Sequence, residues 1–120
     1  MPNVTDYKVL RDSAFTLNVN QERTLNSFSL PGGLADDPAI LSFMIDPSNN
    51  ASNLKLEVEV NDQRVYSITA SGTSLRTILE PFSVNSLNQN GSNTVQFRVD
   101  SGTAGSVRID NVIIWFQRRV

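Results

Sequence analysis

In the segment Leu54-Lys55-Leu56-Glu57-Val58-Glu59-Val60 every second residue is aliphatic and every intervening one is charged. That alternation predicts a strand with one face in a core and the other toward solvent. The same pattern recurs in Phe15 to Val19, Leu41 to Ile45, Thr94 to Asp100, and Val107 through Phe116. Weaker strands are predicted over Tyr7 to Leu10, Thr24 to Leu30, Val65 to Ala70 and Ser74 to Leu79. Turn clusters separate them: Pro31-Gly32-Gly33, Asp46 to Asn50, Asn61-Asp62-Gln63, Ser71-Gly72-Thr73, Asn88 to Ser92 and Ser101 to Gly105. Short strands with turn signals every ten or so residues predict an all-β, antiparallel β-sandwich, a jelly roll of about eight strands. The only helical candidate is a turn around Ala35-Asp36-Asp37-Pro38. The predicted core is Phe15, Leu17, Val19, Leu41, Phe43, Ile45, Leu54, Leu56, Val58, Val60, Val95, Phe97, Val99, Val107, Ile109, Ile114 and Phe116.

Composition narrows the chemistry. A chain of 120 residues is one domain's worth, so residues 1–120 are expected to form a single sandwich. Histidine and cysteine are both absent. Those zeros remove disulfides, thiolate nucleophiles, the usual zinc ligand sets and the Ser-His-Asp arrangement. Asn, Ser and Thr supply 13, 14 and 8 residues, against two lysines, Lys8 and Lys55. The polar surface is therefore amide and hydroxyl rather than ionic. With a net charge of −2, tracking of nucleic-acid phosphates is not expected. The N-terminus lacks the basic and apolar regions of a signal peptide, and no apolar run reaches membrane-spanning length. The expected location is thus cytoplasmic or particle-associated by default. The Asn-X-Ser/Thr triplets at Asn3, Asn50 and Asn90 are read as chance.

Three stretches carry a family resemblance: Val60 to Tyr66, Leu87 to Val99 with its Gly91-x-Asn93, and Val107 to Trp115 with Ile109-Asp110-x-Val112. Together they resemble the galactose-binding-like jelly roll of β-galactosidase sugar-binding domains and many carbohydrate-binding modules. The resemblance covers about half the chain, and Gly91-x-Asn93 also has a structural reason in turn geometry. It implies a non-catalytic, lectin-like domain that takes carbohydrate. It also implies a possible structural calcium, with Asp110 as metal ligand and Glu22 as a loose candidate for a partner. No cofactor is required. Turn formation is the alternative role for these carboxylates.

Candidate binding residues follow from side-chain chemistry. Asn61, Asp62, Arg64 and Tyr66 form a polar loop running into an aromatic, and Arg76 has a similar setting. Hydrogen-bonding amides and charges beside a ring suit a sugar, although a plain hairpin turn uses the same residues. Trp115 is the only tryptophan. If Val112, Ile114 and Phe116 face the core, Ile113 and Trp115 point the other way and require cover. The cover is the N-terminal segment, a stacked sugar or a second copy. The last option gives the alternative function, a structural subunit of a bacterial or viral particle that self-associates through this outer face. Either function predicts a homo-oligomer, since one weak sugar site gains strength by multivalency. Glu57 and Glu59 share a face, as glycosidase carboxylates can, but are expected to be surface charges, paired across the sheet with Arg98 or with the neighbours of Lys55. No catalytic residue is assigned.

Overall fold

The computed structural model describes residues 3–72 and 75–119. Met1, Pro2, Thr73, Ser74 and Val120 lie outside it. With them go the first residues of the N-terminal segment, the end of the predicted Ser71–Thr73 turn and the start of the predicted Ser74–Leu79 strand.

The strands are β1 (Asn3–Arg11), β2 (Phe15–Asn18), β3 (Gln21–Thr24), β4 (Phe28–Ser29), β5 (Ala39–Pro47), β6 (Leu54–Val60), β7 (Gln63–Ala70), β8 (Arg76–Phe82), β9 (Ser92–Asn93), β10 (Val95–Ser101) and β11 (Ser106–Arg119). Every pairing between them is antiparallel. One sheet runs β1-β11-β5-β8, with β2 continuing β1 along the first half of β11. The facing sheet runs β3-β10-β6-β7, and β4-β9 is a small separate ribbon. The all-β sandwich is as the alternation predicts. Leu54, Leu56, Val58 and Val60 of β6 are fully buried, as are Val95, Phe97 and Val99 opposite them. Burying each such side chain contributes about 1.5–3 kcal/mol. Across this core four aromatic rings form a continuous row. Phe15 meets Phe97 at 5.5 Å, Phe97 meets Phe43 at 5.2 Å, and Phe43 meets Tyr66 at 5.7 Å.

The last strand shows how the chain corrects its own phase. Val107 and Ile109 are buried, and so are Val112, Ile114 and Phe116, but the step from Ile109 to Val112 is three positions rather than two. A bulge absorbs the odd residue. Asn111 takes a left-handed conformation (φ 51), and the register with β5 shifts between Asp110 and Ile113. Asparagine tolerates that conformation better than most residues.

Three expectations need correction. The predicted Thr24–Leu30 strand is broken: Thr24 closes β3, and only Phe28–Ser29 pairs again, with β9. The strand β3 was not visible as such, because all four of its residues are exposed and carry no apolar alternation. Residues Ala35 to Pro38 make bends rather than a helical turn, and Pro38 denies a helix its donor. The one short helical turn among the described residues is Val84–Ser86, capped by the Ser83 side chain. Val19 is partly buried, packed on the core from the β2–β3 turn rather than within it.

Candidate functional site

The six predicted binding residues divide among four places. Asn61 and Asp62 are the two central residues of the β6–β7 hairpin, both left-handed (φ 50 and 67). That geometry closes a two-residue hairpin, and Asn and Asp are among the residues that accept it. Asp62 is exposed at the tip, whereas the Asn61 amide is committed to the fold. Its Nδ2 donates to the Ser86 carbonyl and to Asn93 Oδ1, both at 2.8 Å, and its Oδ1 accepts from Thr94 N at 2.9 Å. Asn93, only 1% exposed, also accepts from Asn88 N (2.7 Å) and donates to the carbonyls of Asn88 and Gly91 (3.0 and 3.3 Å). Gly91-x-Asn93 is thus turn architecture. The left-handed residue of that turn is Asn90 (φ 55), not the glycine.

Arg64 points to the outer face of the β3-β10-β6-β7 sheet. There it reaches Glu57 (3.4 Å), which also receives Arg98 (2.9 Å) and Lys55 (3.3 Å). Arg98 bridges on to Glu59 at 3.2 Å. The pairing with Arg98 is as expected, but Glu57 is not a surface charge: it is 5% exposed beneath the three cations. The Arg98 hydrogen bond holds its carboxyl below the usual carboxylate range. Lys55 acts in the same direction, against the raising effect of burial. A glycosidase acid needs the opposite shift.

Tyr66 and Arg76 do come together, at the open margin where β7 and β8 form the edges of the two sheets. Tyr66 packs edge-on against Phe43, and Phe43 pairs in register with Ile78 of β8. Arg76 and Glu80 flank Ile78 on the same face of β8, since alternate residues share a face. Ile68, two residues beyond Tyr66, is likewise half-buried on the β7 side. The margin therefore presents half-buried apolar side chains (Tyr66, Ile68, Ile78), with Arg76 and Glu80 on the same face of β8 as Ile78. Burial raises the Tyr66 phenol above its ordinary value; the Arg76 charge opposes this and the Glu80 charge adds to it. Neither Arg76 nor Glu80 has an ion-pair partner among the described residues. Glu80 was not picked out from the sequence, although Arg76-x-Ile78-x-Glu80 places it on the Arg76 face.

Trp115 lies far from this margin, on the outer face of the β1-β11-β5-β8 sheet. Its indole Nε1 donates to Ser42 Oγ at 3.0 Å, and its ring leans on Tyr7 at 5.2 Å. The N-terminal segment thus pairs beside Trp115, Tyr7 opposite it in register, rather than folding over it. Asp110 sits at the β11 bulge. Its Oδ1 accepts from Asn111 N (2.8 Å), and its Oδ2 lies 3.9 Å from Arg108. Glu22 pairs in register with Arg98 on the other sheet. Calcium takes six to eight oxygens, several of them charged. Among the described residues no three acidic side chains converge, and a cation neighbours Asp110.

No protein-family model and no curated protein matches the sequence. Solved structures do. A family 36 carbohydrate-binding module in complex with calcium and xylotriose aligns over 97% of this chain and 99% of its own, at TM-score 0.54 and 15% identity. A family 29 carbohydrate-binding module complexed with cellulohexaose aligns over 91% and 89%, at TM-score 0.54 and 12% identity. A β-porphyranase of glycoside hydrolase family 86 from the human gut bacterium Bacteroides plebeius aligns at TM-score 0.66 and 17% identity. That match covers 97% of this chain, which spans only 21% of the enzyme's length. The chain has the galactose-binding-like jelly-roll fold seen in such carbohydrate-binding modules.

Proposed function

We propose that this domain is a non-catalytic carbohydrate-binding module, with the β7–β8 margin as its sugar site. The observation that supports it is the make-up of this margin: half-buried Tyr66, Ile68 and Ile78, with Arg76 and Glu80 on the Ile78 face of β8. A sugar ring has an apolar face to lay on such side chains and hydroxyls at its rim. Arg76 donates to those hydroxyls and Glu80 accepts from them, and neither must first break an ion pair. The neighbouring Asp62 turn offers further polar contacts at one end. Binding of oligosaccharides by structurally similar modules supports the same reading. The role proposed for this margin is capture rather than cleavage.

The test is a broad glycan array probed with calcium and again with chelator. Reproducible binding to one sugar class is expected in both buffers. Tyr66→Ala and Arg76→Ala are each expected to weaken it about tenfold or more while leaving the fold intact. A blank array for the folded protein, or full binding by both variants, would refute the site.

A second function is supported by a different observation. On the outer β1-β11-β5-β8 face, Tyr7 (57% exposed), Val9, Ile40 and Leu79 (65%) adjoin Ile113 and Trp115 across four strands. Self-association through that face would hide them. Light scattering should then show mass rising with concentration, and Leu79→Lys should return the protein to monomer. A constant monomeric mass would remove this alternative.

A further inference from the structure

The opposite margin of the sandwich, between β2 and β3, holds an arrangement that the sugar site does not use. Phe15, the first ring of the aromatic row, is 6% exposed. Two guanidinium groups lie over it: Arg11 at 5.2 Å from the ring centroid and Arg23 at 5.4 Å. They arrive from different strands. Arg11 ends β1, and Arg23 stands on β3 directly opposite Phe97. Arg23 therefore faces inward across the margin, although it is exposed.

Charge makes the pair unusual within this chain. Arg64, Arg98, Arg108, Arg118 and Arg119 each have a carboxylate partner. Arg11 and Arg23, like Arg76, make no ion pair among the described residues, but only these two share one ring; the Arg11 Nε donates to the Ser13 carbonyl, at 2.9 Å. Two like charges held to one ring repel, and the cation–π attraction of each offsets that only in part. An anion within reach of both would offset the repulsion. The guanidinium fork matches the oxygen spacing of a carboxylate or sulfate.

We infer that Arg11 and Arg23 form a second binding site, for an oxyanion, a carboxylate or sulfate group, carried on a glycan chain. The oxyanion follows from the paired guanidinium groups, and its being borne on a glycan rests on the function proposed above. The domain would then grip an acidic polysaccharide at both margins: ring and hydroxyls at Tyr66 and Arg76, charge at Arg11 and Arg23.

The experiment measures binding of the whole domain to polygalacturonate, dextran sulfate and neutral dextran, with inorganic sulfate as a free-ion arm. Four proteins are compared: wild type, Arg11→Gln/Arg23→Gln, the conservative Arg11→Lys/Arg23→Lys, and a charge-matched Arg108→Gln/Arg119→Gln. Wild type is expected to favour at least one charged polymer over dextran. The Gln pair should lose about tenfold or more of that affinity, the Lys pair less, and the charge-matched pair little. Melting of each variant shows whether it folds, and the Lys pair decides the matter if the Gln pair does not.

Four results would overturn the site. Equal loss in the charge-matched variant would mean general electrostatics. Stabilisation by inorganic sulfate without polymer binding would mean an adventitious ion only. Unchanged polymer binding with new aggregation of the Gln pair would mean that the arginines merely guard an edge. Failure of the charged polymers alongside a positive neutral-glycan array would sink this inference and leave the sugar site standing.

Discussion

Glu57 shows what a single side chain does once its surroundings are known. Its carboxyl titrates lower in the folded protein than in the unfolded chain, because Arg98 and Lys55 stabilise the charge more than burial opposes it. The stabilisation is therefore fully present above pH ~4.3, the ordinary glutamate value, and is lost as pH falls through the lowered folded-state value. Glu57→Gln should remove that acid-dependent loss. Its melting midpoint should vary less than that of wild type between pH 5 and the acid limit, and parallel curves would count against the network. Strand alternation put Glu57 on the charged face and offered Arg98 as one of its possible cross-strand partners. The burial was not legible, because it depends on Lys55, Arg64 and Arg98 arriving from three strands over one carboxylate. Asn61 teaches the converse. Its residue type suits a sugar, but the partners that use up its amide, Ser86, Asn93 and Thr94, are distant in sequence or hidden in a turn.

Elements were read best where one face is apolar. The alternating β6 and β10 emerge as predicted, whereas the all-polar β3 and the two-residue β4 and β9 carry no period to detect. Connections matter as much as strands here. The loop between β10 and β11 lies against the loop between β5 and β6, with Ala104 bridged to Ser52. Gly105 makes the approach possible. It is left-handed (φ 95), and a Cβ there would stand 2.5 Å from the Ala51 Cα. Gly105→Ala is expected to cost about 2 kcal/mol or more. Gly33→Ala, also left-handed but in open space, should cost only about 1 kcal/mol. Chemical denaturation of the two variants separates backbone conformation from backbone contact, and equal losses would exclude the close approach as the cause.

At the scale of the whole molecule, the two sheets present unlike outer surfaces. One carries the ionic lattice of Lys55, Glu57, Glu59, Arg64 and Arg98; the other carries Tyr7, Val9, Ile40, Leu79 and the half-covered Trp115. The aromatic row links the margins between them, so any ligand held at an edge rests on the core itself. The sandwich was visible in the sequence because its period is local. The β7–β8 margin was not, because Tyr66 meets Arg76 only after two sheets are stacked. The place of Trp115 has one practical result. As the sole indole, it is also the sole source of emission that selective excitation can isolate. Its neighbours are Tyr7 on β1 and Ser42 on β5, not the rings of the core. The intrinsic fluorescence of this protein should therefore report the attachment of its first strand. On heating, that signal should change before the far-ultraviolet circular dichroism if β1 detaches separately, and coincident transitions would mean that the first strand is lost only with the whole sandwich.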